Sequence, residues 1–98
     1  LSVMGHAIRL TERQWAHIVE AHDYMAGNMD KVLETIEEPD AIIEGDQEAS
    51  MALRLYPETN ITRKTAVVVY RDEESGFVIT AFLTSRPDKV MKGRRKLW

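Results

Sequence analysis

Apolar positions near the start of the chain recur at helical spacing. Trp15, Ile18, Val19 and His22 fall on one stripe of a helix. Thr11-Glu12-Arg13-Gln14 opens it as a capping box: the threonine hydroxyl accepts from the amide three residues on, and Gln14 reaches back. Gly27 and Asn28 break the pattern. Asn28 then caps a second helix with Met29, Val32, Leu33 and Ile36 inward, and Pro39 stops it. Glu34, Glu37 and Glu38 crowd the end of this helix against its dipole, so it depends on packing.

Beyond Pro39 the period changes to two. Ala41 to Ile43 is a short strand. Met51 to Tyr56 alternates, with Met51, Leu53 and Leu55 on one face and Ala52, Arg54 and Tyr56 on the other. Thr65 to Arg71 is β-branched and suits a central strand. A hairpin turn over Asp72 to Gly76 leads to Phe77–Thr84. There Phe77, Ile79, Ala81 and Leu83 form an apolar face, and Val78, Thr80, Phe82 and Thr84 a mixed one. These elements predict a single α+β domain, with two N-terminal helices on one face of a roughly four-stranded antiparallel sheet. The opposite face stays at least partly open and carries Arg54, Tyr56, Thr80, Phe82 and Thr84. Residues 1–7 are set aside as a flexible or non-native lead, and residues 89–98 form a basic tail.

Ninety-eight residues fit one domain with one modest core. The absence of cysteine excludes a disulfide framework and thiolate metal sites, and suits a cytoplasmic setting. No segment has the run of apolar residues that a membrane span needs. The net charge of −3 hides a division. Residues 1–50 hold three basic and eleven acidic groups, a net −8; residues 51–98 hold ten and five, a net +5. Such asymmetry either draws an anionic ligand to one face or draws the two halves together.

Two histidines stand on the first helix. At about 100° per residue, His22 lies within the apolar stripe and His17 on the opposite side. They do not share a face as a zinc-binding pair would, and neither a metal nor another cofactor is expected. His22 is either a packed boundary histidine or a general acid or base. His17 is either a surface residue or a supporting contact.

The run Trp15-Ala-His17-Ile18-Val-Glu-Ala-His22 resembles the helix of the phage and toxin nuclease-like families in the barnase–EndoU–colicin–RelE group. Pro39-Asp40, Val67-Val68-Val69 and Val78-Ile79-Thr80-Ala81-Phe82 are similar too, so the resemblance spans roughly residues 8–86. It implies metal-independent endoribonuclease activity of toxin type, with RNA as substrate and an antitoxin or immunity protein as partner. Under it, His22 and His17 match the histidines of the helix, Thr80 matches a strand hydroxyl, and Arg54 and Arg86 are basic partners; on the residues alone, Thr80 is equally a plain strand residue and Arg54 a partner for an acidic helix. Tyr56 and Phe82 would either stack on bases or fill a small second core, Thr80 and Ser85 would donate to phosphate, and Thr84 belongs to the same substrate-binding set. Apart from the resemblance, the basic tail with Lys92, Arg94 and Arg95 is either a solvated charge run or a contact to the phosphate backbone. Two other readings stand beside it: a non-catalytic module binding RNA or a protein, and a phage or mobile-element protein that keeps the fold without the chemistry.

Overall fold

The computed structural model describes all 98 residues. It is a single α+β domain, with a five-stranded mixed sheet in the order β1-β5-β4-β3-β2. The strands are β1 (Ile8–Arg9), β2 (Ala41–Glu44), β3 (Ser50–Tyr56), β4 (Lys64–Arg71) and β5 (Gly76–Thr84). The helices are α1 (Glu12–Ala21), α2 (Met29–Glu37) and α3 (Pro87–Met91). Strands β2 to β5 form the expected antiparallel meander. The unexpected β1 pairs with β5 in parallel, which makes the sheet five-stranded and mixed rather than four-stranded and antiparallel.

Thr11 Oγ1 accepts from the Gln14 amide at 3.1 Å, so the predicted cap forms. Gln14 does not complete the box; its side-chain amide donates to the Ile79 carbonyl on β5. Asn28 is buried at the start of α2 but makes no side-chain cap. Its amide donates instead to Tyr24 O and Asn60 Oδ1, both at 2.9 Å, tying the β3–β4 loop to the turn between the helices. On α2, Val32, Thr35 and Ile36 are buried, while Met29 and Leu33 stay exposed.

Helices α1 and α2 cover one face of the sheet. Ile18, Met25, Val32 and Ile36 pack there with Ile42, Ala52, Ala66, Val68, Tyr70, Val78, Ala81 and Leu83. The other face holds Ile43, Met51, Leu53 and Val67, packed against Val69, Phe82, Val90 and Met91. This face, expected to be open, is therefore partly roofed by α3.

A bulge at Val69/Tyr70 sets which β5 side chains share a face. Val69 pairs with Thr80 and Tyr70 with Val78, so Ile79 is the extra residue. Val78 consequently joins Ala81 and Leu83 on the helix side, which corrects the simple alternation expected along this strand. Gly76 is required at the hairpin, because a Cβ there would collide with the Arg71 carbonyl and the Ile8 side chain.

The C-terminal residues are paired rather than free. Ile42 N donates to Trp98 O at 3.1 Å, Leu97 N to Ile42 O at 2.8 Å and Glu44 N to Arg95 O at 2.8 Å. They line the outer edge of β2 and satisfy backbone groups that an exposed edge would leave open. No helix is long and apolar enough to cross a membrane.

Candidate functional site

The cross-strand register separates the residues expected to meet in one cleft. Arg54 pairs with Ala66, and Ala66 with Leu83, so Arg54 lies on the helix side. Thr80, Phe82 and Thr84 pair with Val69, Val67 and Thr65, on the side of Met51, Leu53 and Leu55. Arg54 and Tyr56 thus stand on the opposite face from the three β5 residues.

The surroundings of Arg54 are structural. Its Nη1 donates to Glu38 O at 2.5 Å, and its Nε lies 3.5 Å from Glu34 Oε1. A cation from β3 therefore offsets the acidic C-terminal end of α2 and satisfies one of its last carbonyls. Tyr56 donates to Glu34 Oε1 at 2.6 Å, and its ring lies 5.7 Å from Lys31 Nζ. Burial and the Glu34 carboxylate push its phenol up to about 12. These contacts hold Tyr56 against α2 rather than on a base-stacking surface.

His22 sits at the sheet's rim. It caps the C-terminal end of α1, its amide donating to Ile18 O at 2.8 Å. Its ring lies 5.6 Å from that of Tyr24 and 5.9 Å from that of Phe82. Tyr24 Oη lies 3.3 Å from His22 Nδ1 and 3.4 Å from both N and O of Leu83. Past its short pairing with β1, β5 has no strand neighbour on its outer side. Gln14 and Tyr24 cover that edge, and His22 lies beside the face bearing Thr80, Phe82 and Thr84. His17 is exposed on α1.

Arg86 follows β5 directly. Its Nε is 3.5 Å from Asp88 Oδ1, and both side chains are largely exposed. The hydrogen bond from Arg86 lowers the pKa of Asp88. Arg86 N donates to Thr84 Oγ1 at 3.0 Å, and Ser85 is exposed. In the tail, Lys92 is exposed, but Arg94 lies 3.1 Å from Asp46 Oδ1 and Arg95 Nε 3.1 Å from Glu44 Oε2. These two arginines thus pair with the acidic half of the chain.

A groove of about 490 Å³ opens on the Phe82 side of the sheet. Asp40, Leu53, Leu55, Arg63, Thr84 and Met91 are among its lining residues, with Ser85 at its β5 end. Arg63 makes no ion pair within 4 Å, and Asp40 Oδ2 accepts from Leu55 N at 2.7 Å. Sequence reasoning missed Arg63 and Asp40. The basic pair Arg63-Lys64 at the start of a β-branched run and the aspartate after Pro39 were the available signals.

A second cluster involves residues set aside at the N-terminus. Ser2 Oγ donates to Asp72 Oδ1 at 2.6 Å, and His6 Nδ1 lies 2.9 Å from the same oxygen. In a nucleophilic triad the histidine would hold the serine hydroxyl; here both meet the aspartate, so the cluster pins the N-terminal segment beyond β4. Comparison with protein-family models, curated proteins and solved structures gives no match to this chain.

Proposed function

We propose that the protein is a metal-independent endoribonuclease of toxin type, acting from the rim and groove face of β5. One juxtaposition carries this reading: His22 lies 5.9 Å from Phe82, beside a strand that also carries Thr80 and Thr84 and leads into Ser85 and Arg86. With Tyr24 at Nδ1, the other ring nitrogen of His22 is left to exchange a proton with a ribose 2′-hydroxyl or a leaving 5′-oxygen. As the 2′-oxygen gives up its proton and attacks the adjacent phosphorus to close the 2′,3′-cyclic phosphate, the P–O5′ bond breaks, and the departing 5′-oxygen is protonated by the imidazolium of His22 or by water. Arg86 offers charge to the phosphorane oxygens, and its exposed pairing with Asp88 is weak enough to exchange for phosphate. Phe82 provides a stacking surface, and Thr84 and Ser85 provide hydroxyls. Arg54 and Tyr56 have no part in this arrangement.

RNA incubated with the folded protein in EDTA should be cleaved to products ending in 2′,3′-cyclic phosphate. Loss of cleavage in folded His22→Ala supports the assignment. An intact substrate with the wild-type protein, free of any inhibitor, refutes it.

A second reading, a module that binds a protein, is favoured by α2. Exposed Met29 and Leu33 lie among Asp30, Glu34 and Glu37, a surface suited to a basic partner such as an antitoxin or immunity protein. Capture of such a partner without RNA scission would favour this reading over the enzyme.

A further inference from the structure

The bulge at Ile79 aligns two aromatic rings. In an unbroken strand Phe77 would stand opposite Thr80 and Phe82. With Ile79 as the extra residue, Phe77 pairs with Arg71, Thr80 with Val69 and Phe82 with Val67, so all three share one face of the sheet. Phe77 is 42% exposed there. The register sets an arginine on either side of it: Arg9 of β1 and Arg71 of β4 are its direct cross-strand partners. Adjacent strands lie about 4.8 Å apart, so both arginine side chains start close to the ring. Neither has a carboxylate within 4 Å, and neither stacks on the ring. Arg71 Nη1 donates to Gln47 O at 2.5 Å, which steadies the guanidinium and leaves its other N–H groups for a ligand. Asp72, the next residue, is held by Ser2 and His6, and Glu73 and Glu74 of the hairpin are exposed and pair with neither arginine.

We propose that Arg9, Phe77 and Arg71 form a second RNA-binding subsite, remote from His22, in which one unpaired base stacks on Phe77 and the flanking phosphates meet the two arginines. The proposal rests on RNA being the substrate. An exposed ring between two unpaired cations is the combination that holds single strands: the π face takes a base and the cations follow the backbone. Phe77 and Phe82 are five residues apart on β5, roughly 15 Å at the rise of a strand. Thr80 lies between them on the same face. An RNA strand held at the His22–Phe82 rim therefore reaches Phe77 a few nucleotides away. No bond is made or broken there; the subsite binds. Every base has a π face, so the subsite tolerates any base, but it requires a single strand, because the bases of a duplex are stacked on one another.

The test is fluorescence anisotropy with a labelled single-stranded 2′-O-methyl oligoribonucleotide, which lacks the attacking hydroxyl and stays intact. Phe77→Ala should weaken binding about tenfold, the lower end of one base–aromatic stack. Phe77→Tyr should retain the affinity, and Phe77→Leu, which keeps apolar bulk without a π face, should lose it. Arg9→Ala combined with Arg71→Ala should reduce the slope of log affinity against log salt by roughly 1.4, about 0.7 for each phosphate contact given up. Phe77 and Arg9 are exposed, and circular dichroism checks that each variant keeps the fold. Unchanged affinity in Phe77→Ala, wild-type affinity in Phe77→Leu, an unchanged salt slope in the arginine double variant, or a preference for duplex would each overturn the proposal. In cleavage, Phe77→Ala should raise KM for a long oligonucleotide and leave a dinucleotide unaffected, because a dinucleotide at His22 does not span to Phe77. Cleavage identical in wild type and Phe77→Ala at every substrate length removes the subsite and leaves the nuclease standing. Oligonucleotide binding that depends on Phe77, without cleavage of any RNA, removes the nuclease and leaves the single-strand subsite.

Discussion

The imidazole of His22 lies 5.9 Å from the ring of Phe82, at the rim where α1 ends against β5. A histidine within a packing stripe reaches the groove face only from such a position. His22→Ala should lower RNA cleavage by about a hundredfold or more, within the contribution of a general acid or base. His17→Ala, on the exposed part of α1, should change it little. Single-turnover cleavage assays in EDTA compare the two. Equal losses would dissolve the distinction drawn from the rim.

Arg54 lies on the opposite face and secures α2. Arg54→Ala removes a charged hydrogen bond to Glu38 O and leaves Glu34 and Glu38 unopposed at the helix end. The expected loss is about 1–2 kcal/mol, after allowance for partial exposure. Urea denaturation at neutral pH measures it, and an unchanged midpoint would contradict the role.

Tyr70 is fully buried, and its hydroxyl has no partner. Such a group forfeits its hydration without compensation. Tyr70→Phe should therefore leave stability unchanged or raise it by about 1 kcal/mol. Thermal melts decide this, and a clear fall in stability would mean the hydroxyl has a role of its own.

Tyr56 gives an alkaline signature. Its phenol is raised from 10.0 to about 12, so the folded state holds this proton more tightly than the unfolded chain does. The associated stabilisation is complete below pH 10.0 and declines as the pH rises toward 12. Burial raises the Tyr70 phenol too, and reinforces the decline. Melting temperatures across this window should fall less in Tyr56→Phe than in the wild type.

The C-terminal residues protect an edge. A variant ending at Gly93 exposes the Ile42 and Glu44 backbone groups now bonded to Arg95, Leu97 and Trp98. It should self-associate with rising concentration, because an unpaired strand edge templates pairing with another chain. Sedimentation would report this, and a monomer at every concentration would show that the tail has no such protective role.

Much of the local structure is written in short-range chemistry. Thr11 marks the start of α1, Pro39 lies just past the end of α2, and alternation from Met51 and the valine run locate β3 and β4. Helical period also separates His22 from His17, and the structure leaves His22 half-buried at the C-cap of α1 and His17 exposed. Less legible were Gln14 and Asn28. Both carry cap-forming chemistry, but in the fold their side-chain amides donate elsewhere, Gln14 to β5 and Asn28 to Tyr24 and Asn60.

Only the tertiary structure decided which residues share a site. Alternation fixes the two sides of one strand but not the side of its neighbour with which each aligns, and a shift of one residue exchanges them. The pairing of Arg54 with Ala66, and of Ala66 with Leu83, placed Arg54 away from Thr84, and the bulge at Ile79 reset the sides within β5. The basic tail was equally undetermined. Arg94 and Arg95 meet Asp46 and Glu44 only because the C-terminal segment returns to β2, residues about fifty positions earlier in the chain. Charge and period are local properties of the sequence; the face, the rim and the groove arise from long-range pairing.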